Sequence, residues 1–221
     1  MLSPVMEDYL KAIYHLGDDE VRTSELADHL GVEPPTVTNT LEKLAERGLL
    51  EREKYKGVEL TEEGRTVAVE VVRHHRLIEA YLAEALDYDW AEVHDEADRL
   101  EHHISEEFEE RVAAALDDPS RDPHGAPIPN EDLEPPEERG ETLDDCEEGE
   151  TARVEQVVDE DPEVLRYLDG HGVGPGVALE VTEVAPFGMV TVRVEGCDDE
   201  VSIPDEVARS VRVSTVAEQE A

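Results

Sequence analysis

Imidazoles and carboxylates gather near the middle of the chain at a spacing suited to metal coordination. His94, Asp98, Glu101 and His102 share one short stretch, and at roughly 100° per helical residue they fall within an arc of about 100°. Upstream, His75 and Glu79 are one helical turn apart, so a helix would stack them on one face. Asp8 lies in an earlier helical pattern. Divalent cations are held by nitrogen and oxygen donors converging from a rigid frame. A single histidine or acid on an acidic helix is ordinarily just solvated, and His15, His29, His103, His124 and His171 read that way. Two segments that each pair histidine with an acid at i, i+4 point instead to a metal site.

A second constellation suits nucleic acid. A recognition helix entering the major groove needs short polar side chains near its N-terminus, and Pro35, Thr36, Thr38 and Asn39 stand at such a start. Asparagine can bond an adenine edge bidentately, and threonine can reach phosphate or a thymine methyl. Lys43, Arg47, Arg52, Lys54 and Lys56 place five of the chain's 19 basic residues in the same region. The plain alternative is a solvated face with i, i+4 pairs, since Glu42, Glu46, Glu51 and Glu53 are interleaved.

The elements that would position these groups follow from periodicity. Leu10, Ile13, Tyr14 and Leu16 give a helix over 7–16. Residues 23–31 form a second, with Thr23 as N-cap and Gly31 as stop. A third starts at Pro34 and Pro35, buries Val37, Leu41 and Leu44, and ends at Gly48. Two short helices joined by a tight turn read as a helix-turn-helix. The alternation in LLEREKYKGVELT adds a β-hairpin, and the sum is a winged helix. Helical patterns return over about 62–86 and, as one continuous helix, over about 90–116. Residues 118–148 are rich in proline and acid and read as a linker. TARVEQVV, VALEVTEV, MVTVRVEG, EVSIP and VRVSTV are five short strands separated by turn residues, which suggests a small barrel.

Composition bounds the setting. The 221 residues carry 59 acidic and 19 basic side chains, a formal net charge of −40. Only four of the basic residues are lysines. Such charge with 38% apolar content would suit a disordered chain, but the clear periodicities require most of it to fold. The reading is adaptation to molar salt, where screening weakens self-repulsion. No stretch approaches the ~20 apolar residues of a membrane span, and MLSPVMEDYL lacks the basic and apolar regions of a signal peptide. Cys146 and Cys197 form no CxxC pair, which points to a reducing cytoplasm.

These motifs resemble the diphtheria toxin repressor and manganese transport regulator family. MEDYLKAIYHL resembles its first helix, VEPPTVTNTLEKLAERGLL its recognition helix and EKYKGVELTEEGR its wing. HHRLIEAYL and VHDEADRLEHHISEEFEERV, followed by DPHGAPIP, are similar to its metal and dimerisation helices. The resemblance implies an α+β fold: a winged helix-turn-helix over 1–64, a helical dimerisation and metal domain over 65–120, an acidic linker over 121–143, and an SH3-like (FeoA-like) β-barrel over 144–221. It implies Asp8, Asp98, Glu101 and His102 as primary metal ligands. His75, Glu79 and His94 match an ancillary site, with Glu160 and Glu163 as further ancillary ligands from the C-terminal domain. The iron-sensing branch has Met and Cys where this chain has Asp8 and Asp98, and the manganese branch has Glu where it has Lys11.

The expected function is a cytoplasmic homodimeric repressor that binds a pseudo-palindromic DNA operator when loaded with Mn²⁺ or, alternatively, Fe²⁺. A metal-independent winged-helix regulator and a metal buffer are rival readings. A hydrolase is disfavoured, because the sequence holds no nucleophile motif, HExxH or phosphate loop.

Overall fold

In the computed structural model, residues 2–17, 20–52, 57–134, 140–158, 161–186, 188–196 and 200–215 are described. The chain divides into two compact units. The first comprises Met1–His75, Arg99–Glu109 and Pro129–Pro136; the second comprises Arg76–Asp98, Glu110–Ile128 and Glu137–Ala221.

The first unit opens with three helices, α1 (Pro4–Leu16), α2 (Thr23–His29) and α3 (Pro34–Glu46), then two strands, β1 (Leu50–Arg52) and β2 (Val58–Leu60). Leu10, Ile13, Leu26, Val37, Leu41 and Leu44 are wholly buried in its core. They recur at the spacing that turns one face of each helix inward. Leu41→Ala would cost about 2–5 kcal/mol, the usual range for such a cavity. Gly31, at φ +62, ends α2, and the Val32 amide donates back to the Ala27 carbonyl at 3.0 Å. This left-handed glycine closure sets the turn between the two helices. Thr23, expected as the N-cap, is already helical; Arg22 precedes the helix and its amide donates to Glu25 Oε2 at 2.8 Å. The in-register pairs Leu50↔Leu60 and Arg52↔Val58 form the wing. Val21 extends it through reciprocal hydrogen bonds with Val58. The wing tip, with Lys54 and Lys56, lies outside the described residues.

Helix α4 (Glu62–Leu86) begins in this unit and continues into the second. Thr61 starts it: its Oγ1 accepts from the Gly64 amide and donates to the Gly48 carbonyl. The single helix expected over 90–116 is instead two, α5 (Val93–Leu100) and α6 (Glu106–Ala115). Ser105 causes the break. Its Oγ accepts from the Phe108 amide at 3.3 Å, and its carbonyl accepts from Phe108 and Glu109. A serine N-cap followed by Glu106, Glu107 and Glu109 complements the positive end of a new helix. Glu101 and His102 therefore occupy a turn rather than a helical face.

In the second unit, Leu77, Ala80, Val112, Ala113 and Ile128 form a small helical cluster. Residues 121–128, assigned from composition to a linker, are packed into this unit, with Asp122, His124, Ala126 and Ile128 buried. A six-stranded antiparallel sheet follows: β3 (Glu141–Thr142), β4 (Thr151–Val157), β5 (Ala178–Ala185), β6 (Met189–Val194), β7 (Glu200–Pro204) and β8 (Val211–Thr215). Its order is β3-β8-β4-β5-β6-β7. The five expected strands are present, and the short β3 is additional. Register shifts at Val154/Gln156 and Val181/Glu183 are bulges, which bend strands in small barrels. Helix α7 (Pro162–Gly170) adds Leu165 and Leu168 to the core of Val154, Val181, Val192, Ile203 and Val213.

Candidate metal centres and nucleic-acid face

Within the first unit, α1 carries Glu7 and Asp8 on one turn and Lys11 on the next, α4 carries His75, and the α5–α6 turn carries Glu101 and His102. The ligand atoms of Asp8, Glu101 and His102 all lie within 4.8 Å of one another. His102 Nε2 is 2.8 Å from Asp8 Oδ1 and 3.2 Å from Glu101 Oε1, while Nδ1 is 2.8 Å from Glu7 Oε2. The hydrogen bond that His102 donates to Asp8 raises its pKa. Burial opposes this shift, while Glu7 and the charges of Glu101 and Asp8 reinforce it. Glu101 is 2% exposed, and its Oε2 lies 2.6 Å from His75 Nδ1. Lys11 Nζ donates to both Glu101 oxygens, at 3.0 and 2.8 Å. Three carboxylates around an imidazole, one of them buried, form a donor set suited to a hard divalent ion.

The second unit holds another group. Glu79 on α4, Asp122 and His124 are all buried, and their ligand atoms lie within 4.8 Å of one another. His94 on α5 joins them, with Nδ1 3.3 Å from Glu79 Oε1. His124 Nε2 donates to the Trp90 carbonyl at 2.8 Å, and its ring stacks on Trp90. That outer bond fixes the tautomer and turns Nδ1 toward Glu79 Oε2, 3.6 Å away. Burial raises the Asp122 pKa to about 6, aided by the nearby charge of Glu79 and opposed by His124 and Arg76. Burial lowers the His124 pKa, but the bond and charge of Glu79 outweigh it and the net shift is upward. Two enclosed carboxylates this close together carry charge that a metal cation would neutralise.

Asp8, Glu101 and His102 converge in the first unit, where His75 also reaches Glu101. Asp98 falls in the second unit, with Oδ2 3.6 Å from His94 Nε2. Glu163 is exposed in the first turn of α7, its amide donating to Asp161, and among the described residues it joins none of the converging groups. Glu160 lies outside the described residues. The sequence reading missed Glu7, Asp122 and His124. In DPHGAPIP the alternation of acid and histidine was the available signal, masked by proline-rich surroundings.

On α3, the face opposite the buried Val37, Leu41 and Leu44 presents Thr36, Asn39, Lys43 and Arg47 as one exposed stripe, with Pro35 at its start. Thr38 is half-buried, and its hydroxyl donates to the Pro34 carbonyl at 3.1 Å. Arg52 Nη1 lies 3.5 Å from Glu42 Oε1.

A winged helix with a polar, basic recognition face, joined to acid–histidine clusters able to hold cations, defines a metal-responsive DNA-binding regulator. The comparisons agree. Residues 1–58 match the N-terminal DNA-binding domain of iron dependent repressors, 61–130 their metal binding and dimerisation domain, and 141–215 the FeoA domain. The chain is 33% identical to the diphtheria toxin repressor of Corynebacterium efficiens, over 95% of each chain. It is 34% identical to the iron-dependent repressor IdeR of Mycobacterium tuberculosis, over 95% of this chain and 96% of that one. A manganese-dependent transcriptional repressor solved in complex with manganese superposes with a TM-score of 0.88 at 38% identity, covering 96% of this chain and all of that one. The zinc-bound form of ScaR superposes with a TM-score of 0.81 at 32% identity, over 96% of this chain and 99% of that one. The chain belongs to the diphtheria toxin repressor family of metal-dependent, DNA-binding transcriptional repressors.

Proposed function

We propose that the chain is a homodimeric repressor, not an enzyme, that acts in the cytoplasm and binds its operator when loaded with Mn²⁺. The observation that carries this reading is the convergence of Asp8, from the first helix of the DNA-binding domain, on Glu101 and His102 from the α5–α6 turn. An ion held by these groups ties the two segments together and biases the pose of α3. Asp98 completes this primary set by resemblance. Glu79, His94, Asp122 and His124 hold a second ion, with Glu163 and Glu160 as further candidates by resemblance. When bound, the metal supplies a charge that neutralises buried carboxylates. The protein's part is orientation: Glu7 and Asp8 grip His102, and Trp90 fixes His124.

The carboxylate-rich donors favour manganese, since hard oxygen suits it. Fe²⁺ is the second reading, favoured by the curated relatives named iron-dependent. A two-fold operator needs two recognition helices about 34 Å apart, which requires two copies of the chain. Among the described residues, no helix is long and apolar enough to cross a membrane. Operator binding is measured after treatment with EDTA and again after each divalent metal is restored. Loss on chelation and recovery with Mn²⁺ support the proposal; binding indifferent to chelation overturns it.

A further inference from the structure

Lys11 is one of four lysines in a chain with 59 acidic residues, and the other three lie between 43 and 56. Its position is therefore unusual: the ammonium stands inside the Asp8 cluster. Nζ lies 3.0 and 2.8 Å from the two oxygens of Glu101 and 3.3 Å from His75 Nδ1. The Lys11 side chain is 17% exposed and that of Glu101 only 1%, so solvent screens the pair weakly. A carboxylate this deeply enclosed requires a paired cation and satisfied hydrogen bonds, and Lys11 supplies both.

The charges around the cluster decide how many further cations it takes. Glu7, Asp8 and Glu101 carry three formal negative charges, and Lys11 cancels one. Two remain, and Asp98, placed in the primary set by resemblance, would add a third; one divalent ion matches this charge and two exceed it. Both oxygens of Glu101 already accept from Nζ, so a second ion would have to share this carboxylate at the expense of the ammonium. Two dications would also leave the cluster with a net positive charge beside a buried lysine.

We infer that Lys11 is a built-in cation that holds Glu101 in its ligand position before metal arrives and limits this cluster to one divalent ion. The inference rests on the reading of the Asp8 cluster as a metal site. Charge reversal at Lys11 adds two negative charges to the cluster, and so makes room for a second ion. Neutral truncation leaves Glu101 buried without its partner in the metal-free chain.

The test counts bound Mn²⁺ on the full-length chain by equilibrium dialysis with elemental analysis, and follows Mn²⁺ by electron paramagnetic resonance. His102→Ala should remove one ion per chain relative to the wild type. Lys11→Glu should gain one ion, with the isolated-Mn²⁺ signal reduced to that of the Glu79 cluster as the two ions beside Asp8 couple, and the gain should vanish in Lys11→Glu combined with His102→Ala. Lys11→Met should lower the melting temperature of the metal-free chain, with Mn²⁺ restoring most of the difference. Loss of two ions with His102→Ala overturns the inference while leaving the metal site intact, and does so whether or not the Lys11 variants fold. Loss of none overturns the site reading beneath it. An unchanged ion count in a folded Lys11→Glu overturns the inference directly, as does a Lys11→Met chain that melts like wild type.

Discussion

His102 presents Nε2 to Asp8 Oδ1 at 2.8 Å while its other nitrogen faces Glu7 Oε2 at the same distance. Both carboxylates come from one turn of α1, so in the absence of metal the ring is gripped as an imidazolium. Its pKa is raised above the ordinary 6.5, with the Asp8 hydrogen bond as the largest cause. A raised folded-state pKa contributes stability that is fully present below 6.5 and lost as pH rises through the folded value. The metal-free chain should therefore lose thermal stability across that window, and Asp8→Asn should flatten the loss. Metal needs the neutral ring, so proton and ion compete. Mn²⁺ affinity at this cluster should fall as pH drops through the raised pKa, with proton release on binding. Calorimetry in buffers of different ionisation enthalpy measures the released proton; a pH-independent affinity in this range would refute the competition.

The second cluster carries its own reporter, because the chain's single tryptophan, Trp90, stacks on His124 with ring centroids 5.4 Å apart. Mn²⁺ binding by Glu79, Asp122 and His124 should quench its emission, and His124→Ala should abolish the quenching. His102→Ala should leave it in place, because that residue belongs to the other cluster. Below about pH 6 Asp122 takes up a proton, so quenching should weaken there. Asp122→Asn should cut affinity at this cluster at least tenfold, a loss of the order seen even for outer-shell partners. Quenching that survives His124→Ala would remove the assignment of this cluster.

The exposed stripe on α3 separates positioning from readout. Asn39→Ala should cost about 1–3 kcal/mol of discrimination at one base pair and leave non-specific binding nearly unchanged. Lys43→Ala and Arg47→Ala should weaken binding to all sequences and reduce the salt slope by about one unit each. The slope itself should be shallow between about 0.5 and 2 M salt, since salt screens both phosphate attraction and the repulsion from a chain of net charge −40. Fluorescence anisotropy with operator and scrambled duplexes over a salt series distinguishes the two classes. Equal effects of Asn39→Ala on both duplexes would place Asn39 outside base readout.

The contrast between what periodicity reveals and what it hides has physical causes. Val37, Leu41 and Leu44 repeat at helical spacing because one face of α3 is buried, and the alternation in β4 to β8 records a sheet with one inward face. Both patterns survive in composition. The break at Ser105 does not, because its cap is one hydroxyl among residues that otherwise favour a helix. Asp122 and His124 are hidden for the opposite reason: proline and acid mark a solvated segment by composition, yet here the backbone turns them inward. Glu7 is one acid among many. That Lys11 caps Glu101 depends on a contact 90 residues apart in sequence, which no local pattern encodes.

Metal choice follows from the donors. Asp8, Glu101 and His102 offer two carboxylates and an imidazole, with no sulfur among them, and hard oxygen suits Mn²⁺ while thiolate and thioether favour softer ions. Affinity alone cannot select manganese, because the Irving–Williams order ranks it lowest of the first-row series. Selection must act through geometry: an ion that binds tightly but closes a tetrahedral shell, as Zn²⁺ prefers, leaves one segment unliganded and the α3 pose unfixed. Mn²⁺ should therefore activate operator binding at least as well as Fe²⁺, and Zn²⁺ should bind tightly while activating poorly. Replacing oxygen with sulfur through Asp8→Met with Asp98→Cys should shift activation toward Fe²⁺ or Co²⁺. Asp98 is the sensitive element, since its carboxylate also faces His94; if Asp8→Met alone produces the full shift, Asp98 lies outside the primary shell. Anaerobic titrations of the wild-type chain, with operator binding read by anisotropy, decide the ordering. Activation by Fe²⁺ with no response to saturating Mn²⁺ would overturn the manganese assignment and leave the iron reading in its place.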